Sequence, residues 1–318
     1  MRRSILALIA LTVLAGGTSA QEPSFPSRSI RIIVPFAGGS GSDITSRYYA
    51  EKLSAVLGQT VFVENKPGAD GALGMLAAKA APADGYTMVL SGITTSVVNA
   101  VLVKDMKYDP VKDFKPVFGH SRNMNVVIVA DDSNIRTLAD LKQASSGAGL
   151  NGGIYSATLR LTAEWMAGLM GVKFNLIPYK GQGQIQTEII GRQLDFALVD
   201  VSGAASLIQS GKFRAVAVTG EERSPVLPNI PTIRESGYPG LSQYSWNAFY
   251  VRSDVPDAVT EKLAQAVKTV MSSEETKAMV RSRGSEQVAL SPADMKRMQI
   301  AEIERFKRVA AQANILPQ

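Results

Sequence analysis

Short apolar runs alternate with amphipathic helical stretches along almost all of this 318-residue chain. The alternation restricts the fold to an α/β architecture with mostly parallel sheets, because parallel neighbours must be joined by a crossover of helix length. Ile30 to Phe36 reads as the first strand, and the helix after it carries Ile44, Tyr48, Leu53 and Leu57 near helical spacing and stops at Gly58. Val61 to Val63 and Tyr86 to Leu90 continue the series. Asn125 to Ala130 restarts it, followed by strands at Leu150 to Ile154, Phe174 to Pro178, Leu194 to Val199 and Phe213 to Val218. After Thr219 a proline- and glycine-rich stretch reads as a crossing between lobes, Trp246 to Val251 as a strand, and two or three helices close the chain. The last of these opens with Ser291 as N-cap, Pro292 in the first turn and Asp294 as capping partner. With 45% hydrophobic and 19% charged residues, the chain is well-folded globular material of roughly two domains.

The first twenty residues stand outside that fold. Arg2 and Arg3, the apolar run Ile5 to Ala15 and the small residues Thr18-Ser19-Ala20 have the order of a secretory signal peptide, too short to serve as a membrane span. The chain has no cysteine, which excludes both a lipid-anchored form and disulfides. Its net charge of +6 becomes +4 once Arg2 and Arg3 leave. That mild excess suits a small anionic partner, and the absence of a dense basic stripe with interleaved aromatics argues against nucleic acid.

Arg31 to Asp43 runs from an apolar strand through a glycine–serine loop into a helix, which sets free backbone amides at the positive end of a helix and suits an anion. Several enzyme readings of this loop fail on residue type. Gly39-Ser40-Gly41 continues to Ile44 where a dinucleotide fingerprint needs a third small residue, and no Walker lysine follows. Gly38 to Ser42 imitates a nucleophile elbow but ends in serine, and a hydrolase built on Ser40 must draw its base from the single histidine, His120. One histidine, no cysteine and no tight carboxylate cluster leave no metal site and imply no cofactor. A binding protein is the reading that remains.

The chain resembles the tripartite tricarboxylate transporter receptors, also called the Bug family, which are periplasmic solute-binding proteins. The matching stretches are Ile33-Val34-Pro35-Phe36-Ala37-Gly38-Gly39 with Asp43, Leu57-Gly58-Gln59, Val63-Glu64-Asn65-Lys66-Pro67-Gly68-Ala69, Asp84-Gly85-Tyr86-Thr87 and Tyr108-Asp109-Pro110 with Asp113-Phe114. Further along come Pro178-Tyr179-Lys180-Gly181, Ala215-Val216-Ala217-Val218-Thr219, Leu227-Pro228-Asn229-Ile230-Pro231-Thr232 and Gly237-Tyr238-Pro239-Gly240. The resemblance implies a two-lobed, type II-like periplasmic-binding-protein fold, each lobe a mostly parallel sheet flanked by helices, with the ligand in the interlobe cleft. On this reading residues 1–20 are the signal peptide, 21–125 and 222–318 a discontinuous first lobe, and 126–221 the second. The implied function is capture of a small organic carboxylate, aliphatic or aromatic, by hinge closure without chemistry, and delivery to membrane permease subunits. The expected protein is a periplasmic monomer with no membrane insertion of its own.

The resemblance also implies a carboxylate gripped by backbone amides of two loops. The first maps to Phe36, Ala37, Gly38, Gly39, Ser40, Gly41, Ser42 and Asp43, and the second to Tyr155, Ser156, Ala157 and Thr158. In the second loop Arg160 stands where the family usually has histidine. It is either a solvated surface group or a bidentate grip on a second carboxylate. Asp43 either contacts ligand or fixes its own loop as a cap. Thr94, Thr95, Tyr179, Lys180 and Asp200 follow strand ends, where open α/β sheets place ligands. Two other functions stay open at this level: an exported serine hydrolase using Ser40 and His120, and an orphan receptor feeding a two-component sensor.

Overall fold

The computed structural model describes residues 25–147, 149–312 and 314–317; the proposed signal peptide lies outside the described residues. The first half contains β1 (Ile30–Val34), α1 (Gly41–Leu57), β2 (Val61–Asn65), α2 (Ala72–Lys79), β3 (Thr87–Gly92), a π-helical turn Thr94–Val98 running into α3 (Asn99–Leu102), and β4 (Phe114–Ala130). Next come α4 (Leu138–Ala144), β5 (Leu150–Ile154), α5 (Ala157–Met170), β6 (Phe174–Pro178), α6 (Gln182–Ile190), β7 (Phe196–Asp200), α7 (Val201–Gln209) and β8 (Phe213–Val218). The chain closes with β9 (Tyr244–Arg252), α8 (Asp257–Ser272), α9 (Glu274–Ser282), β10 (Glu286–Leu290) and α10 (Pro292–Gln312).

Two parallel sets, β2-β1-β3 and β6-β5-β7, are the mostly parallel units that the alternation predicts. Apolar burial on both faces accounts for the near-continuous hydrophobic run of β1, four of whose five residues are fully buried. The strands that join the sets are antiparallel. The first part of the 17-residue β4 pairs with β9 and β10, and its last part, from Asn125 onward, with β7 and β8. One continuous strand therefore belongs to both halves of the molecule. The return path is tied to it at the crossing: Thr219 N donates to Asn125 O (2.9 Å), Asn125 N to Thr219 Oγ1 (3.0 Å), and Gln243 N to Thr219 O (2.9 Å).

Two elements depart from the sequence reading. β4 begins at Phe114 rather than Asn125, and β10 pairs with it where only helices are expected. Pro116, Gly119 and the polar run Ser121 to Asn123 break the apolar pattern, and the register of the β4–β9 pair shifts at Pro116/Phe118 and again at Gly119/Ser121. Proline at a bulge costs no ladder bond, so the strand tolerates what the sequence signals as a breaker.

His120 also lies inside β4. It is fully buried, its ring stacked on Phe249 (5.0 Å between centroids) and tilted against Tyr49 (4.7 Å). Neither ring nitrogen has a hydrogen-bond partner among the described residues. Burial opposes the charged form and pushes the imidazole down to about 3 from its ordinary 6.5. The unfolded chain therefore takes up a proton on this residue as pH falls through about 6.5, while the folded chain does not until about 3. The resulting stability is complete above 6.5 and drains away between those values, at a slope approaching about 1.4 kcal/mol per pH unit. Urea unfolding of His120→Phe across this window is expected to show a shallower loss than wild type; parallel curves would show that His120 is not the group responsible.

Candidate functional site

The carboxyl ends of β1, β5, β6 and β7 point into one cleft of about 820 Å³, and the helix following each strand begins at its wall. Four helix N-termini thus face one space.

The first, at α1, is built by its own sequence. Ser40 is the N-cap, its hydroxyl accepting from Asp43 N (3.2 Å), and Ile44 N bonds back to Ser40 O (3.0 Å). Asp43 folds back on the loop: its carboxylate accepts from Gly39 N (2.9 Å), Asn65 Nδ2 (2.9 Å) and Arg47 Nε (3.1 Å), and Asn65 Nδ2 also reaches Phe36 O (3.0 Å). Burial alone would raise the Asp43 carboxyl, but the bonds from Arg47, Gly39 and Asn65 outweigh it and hold the group below the usual carboxylate range. Only the amides of Gly41 and Ser42 in this first turn have no hydrogen-bond partner among the described residues. Gly39 needs to be glycine because its φ is +80°; Gly41 has no such demand, and a Cβ there would meet nothing within 4 Å. Its missing side chain leaves the helix end uncovered.

The α5 N-terminus repeats the device on the opposite wall. Ser156 caps it by accepting from Leu159 N (3.3 Å), Arg160 N bonds to Ser156 O (3.0 Å), and the amides of Ala157 and Thr158 are unpaired among the described residues. Thr94 Oγ1 and Thr158 Oγ1, 2.9 Å apart, join the two walls.

Asp200 makes a bracket rather than an open charge. Its carboxylate accepts from Asn125 Nδ2 (2.7 Å) and from the Tyr155 hydroxyl, and Gln182 bonds its backbone on both sides. Burial raises the Asp200 carboxyl, a shift that the bonds from Tyr155 and Asn125 only partly offset. Burial and the neighbouring Asp200 likewise push the Tyr155 phenol up. Tyr155, β7 and the crossing strand β4 are locked together, and the Tyr155 ring is fixed at the cleft wall.

Of the residues that the sequence places in the site, Phe36, Ala37, Gly39, Ser40, Gly41, Ser42, Thr94, Tyr155, Ser156, Thr158, Lys180 and Asp200 line this cleft. Gly38 and Asp43 sit behind the loop, and Thr95 is fully buried with its hydroxyl 2.7 Å from Ser91 Oγ. Ala157, Arg160 and Tyr179 face a second cavity. The cleft floor comes from Ser121 and Asn123 on β4 and Ser245, Trp246 and Asn247 on β9, which no local motif announces. Trp246 Nε1 and Asn123 Oδ1 are buried there without a partner among the described residues. Arg283, at the end of α9, also reaches the cleft. No group of three or more histidines or carboxylates among the described residues is placed to hold a metal, and no helix described is long and apolar enough to cross a membrane.

Residues 45–315 match the family model of the tripartite tricarboxylate transporter family receptor. The chain belongs to that family. A relative of Agrobacterium vitis, the UPF0065 protein in the TAR-I ttuE-ttuC′ intergenic region, is 32% identical over 98% of this chain and 91% of its own. Among solved structures, R. palustris Rpa4515 with adipate superposes with a TM-score of 0.85 at 29% identity, covering 92% of this chain and all of the other. Periplasmic binding protein BugD gives 0.83 at 26%, again covering 92% and 100%. As a member of this receptor family, the protein binds solute and is not an enzyme. The hydrolase alternative also fails locally, since His120 is sealed in the aromatic core while Ser40 lines the cleft and caps α1.

Asp43→Ala leaves Gly39 N, Asn65 and Arg47 without their shared acceptor and is expected to cost about 1–3 kcal/mol of stability. It should also weaken ligand binding through the loosened loop, although Asp43 does not face the cleft. Unchanged affinity in calorimetry together with unchanged stability would refute the bracing role.

Proposed function

We propose that this protein is exported by its N-terminal signal peptide and acts in the periplasm as a monomeric receptor. It captures a small organic carboxylate between two lobes and presents it to the permease subunits of a tripartite transporter. The lobes are taken as residues 21–125 with 222–318, and 126–221. The observation that carries the reading is a pair of helix starts at one cleft: Gly41 and Ser42 of α1, and Thr158 of α5 with Ala157 beside it, each start with two amides unpaired among the described residues. A carboxylate has two oxygens and several lone pairs to offer such donors. The dipoles of both helices favour negative charge at that point. A ligand contacting both walls stabilises the closed arrangement by interactions that an open cleft lacks, which is the basis of hinge closure. The adipate in the Rpa4515 structure supports a dicarboxylate in the ligand class.

A thermal-shift screen tests the ligand class. An organic acid at about a hundred times its dissociation constant should stabilise the protein by roughly 2.7 kcal/mol. Shifts from sugars or nucleotides with none from any carboxylate would overturn the reading. The variant Gly41→Asp tests the site. An acidic residue in the first turn is favourable to the helix by about 0.3–1 kcal/mol, so the fold should be retained. Its charge occupies the amides and repels the ligand, so affinity should fall at least about tenfold. Retained affinity in a folded Gly41→Asp protein would place the carboxylate elsewhere.

A further inference from the structure

The second cavity, of about 380 Å³, is no isolated void. Asp70, Tyr155 and Ser156 line both it and the main cleft, so the two spaces adjoin across the α5 cap. Its walls come from four separate places: the end of α3 (Leu102, Val103), the end of β5 (Ile154), the end of β6 (Pro178) and the C-terminal segment (Ile315). These are apolar. One cation enters it: Arg160, in the first turn of α5, whose guanidinium has no ion pair or hydrogen bond with any described residue. Most other half-buried arginines are engaged, Arg31 with Glu64, Arg122 with Glu286 and Arg305 with Glu302. Asp70 stands at the junction with a left-handed backbone (φ 47°), an uncommon state for a residue other than glycine.

We infer that this chamber is a second subsite, which takes the distal part of an elongated ligand: an apolar spacer against the Leu102–Val103–Pro178 walls, and a second anionic group on Arg160. The inference rests on the proposed carboxylate receptor and adds which carboxylates it selects. The first carboxylate occupies the Gly41–Ser42 and Ala157–Thr158 amides beside Ser156, and the chain passes Tyr155 into the chamber. Short diacids whose second group cannot reach Arg160 gain nothing from it. Unlike the amides, a guanidinium meets a carboxylate in a bidentate way, so the distal end is recognised by geometry as well as charge. Desolvating the spacer against apolar walls should tighten binding about fourfold for each methylene buried.

Calorimetry with two matched series, α,ω-diacids from succinate to suberate and monoacids from butyrate to octanoate, tests this. Wild type should prefer the longer diacids to their monoacid counterparts by about tenfold or more. Arg160→Gln should abolish that preference and leave monoacid affinity in place. Val103, 39% exposed, can be enlarged without disturbing the core, and Val103→Trp should exclude the longer diacids while sparing succinate. Equal affinity of wild type for both series, or an unchanged preference in Arg160→Gln, would overturn the subsite and leave the receptor intact. If Arg160→Gln and Asp70→Asn weaken monoacids and diacids alike, the two residues form an interlobe ion pair and the subsite is refuted. Failure of both series to bind at all would remove the carboxylate reading and this one with it.

Discussion

A helix that starts at a cleft leaves its first amides without helical partners, and the protein must either cap them or offer them to something else. Here both happen at once. Ser40 and Ser156 each cap the third residue of their helix and no more, so the two amides before it stay open on each side. The parallel strands fix where the helices begin, the long strand β4 fixes one set of strands against the other, and Thr94 and Thr158 join the two walls directly.

The acidic residues in and beside the cleft look at first like a contradiction in a site for anions. Their partners resolve it. Asp43 is spent on Gly39, Asn65 and Arg47, and Asp200 on Tyr155 and Asn125. These two carboxylates are consumed as internal acceptors that shape a wall, whereas Asp70 lines the cleft with no side-chain partner among the described residues. What these neighbourhoods leave at the cleft is the free amides of the glycine–serine loop as donors, and the ring of Tyr155, whose hydroxyl is taken by Asp200. Few cations face the cleft, Lys180 and Arg283 among them. Recognition by amides is directional and needs no counter-charge to be desolvated, which suits a receptor that must also let its ligand go.

Local devices were legible in the sequence; devices assembled across the fold were not. The strand–loop–helix at Ile30 to Leu57 and its repeat at Leu150 to Met170 are written in contiguous residues, so their caps and glycines could be read directly. The family resemblance extended this to the fold and to the receptor family. By contrast, the bracket of Tyr155 with Asp200 and Asn125 joins three strands far apart in the chain, and neither residue type nor spacing signals it. The floor residues Asn123, Trp246 and Asn247 are likewise brought in by β4–β9 pairing. The sequence places Arg160 among the cleft candidates, but helix geometry turns it one step round α5, from the wall bearing Thr158 to the chamber bearing Ala157. Nothing in the sequence points to Arg283, because the end of a surface helix carries no sign of what it faces.

The most direct measurement is a crystal structure of the protein with a diacid found by ligand screening. The account predicts one carboxylate with its oxygens about 2.7–3.2 Å from the amide nitrogens of Gly41 and Ser42, directly or through one ordered water. The α5 amides of Ala157 and Thr158 should close on it from the other side. A ligand held by Lys180 and Arg283 alone, with all four amides left to solvent, would contradict the claim that paired helix ends form the grip.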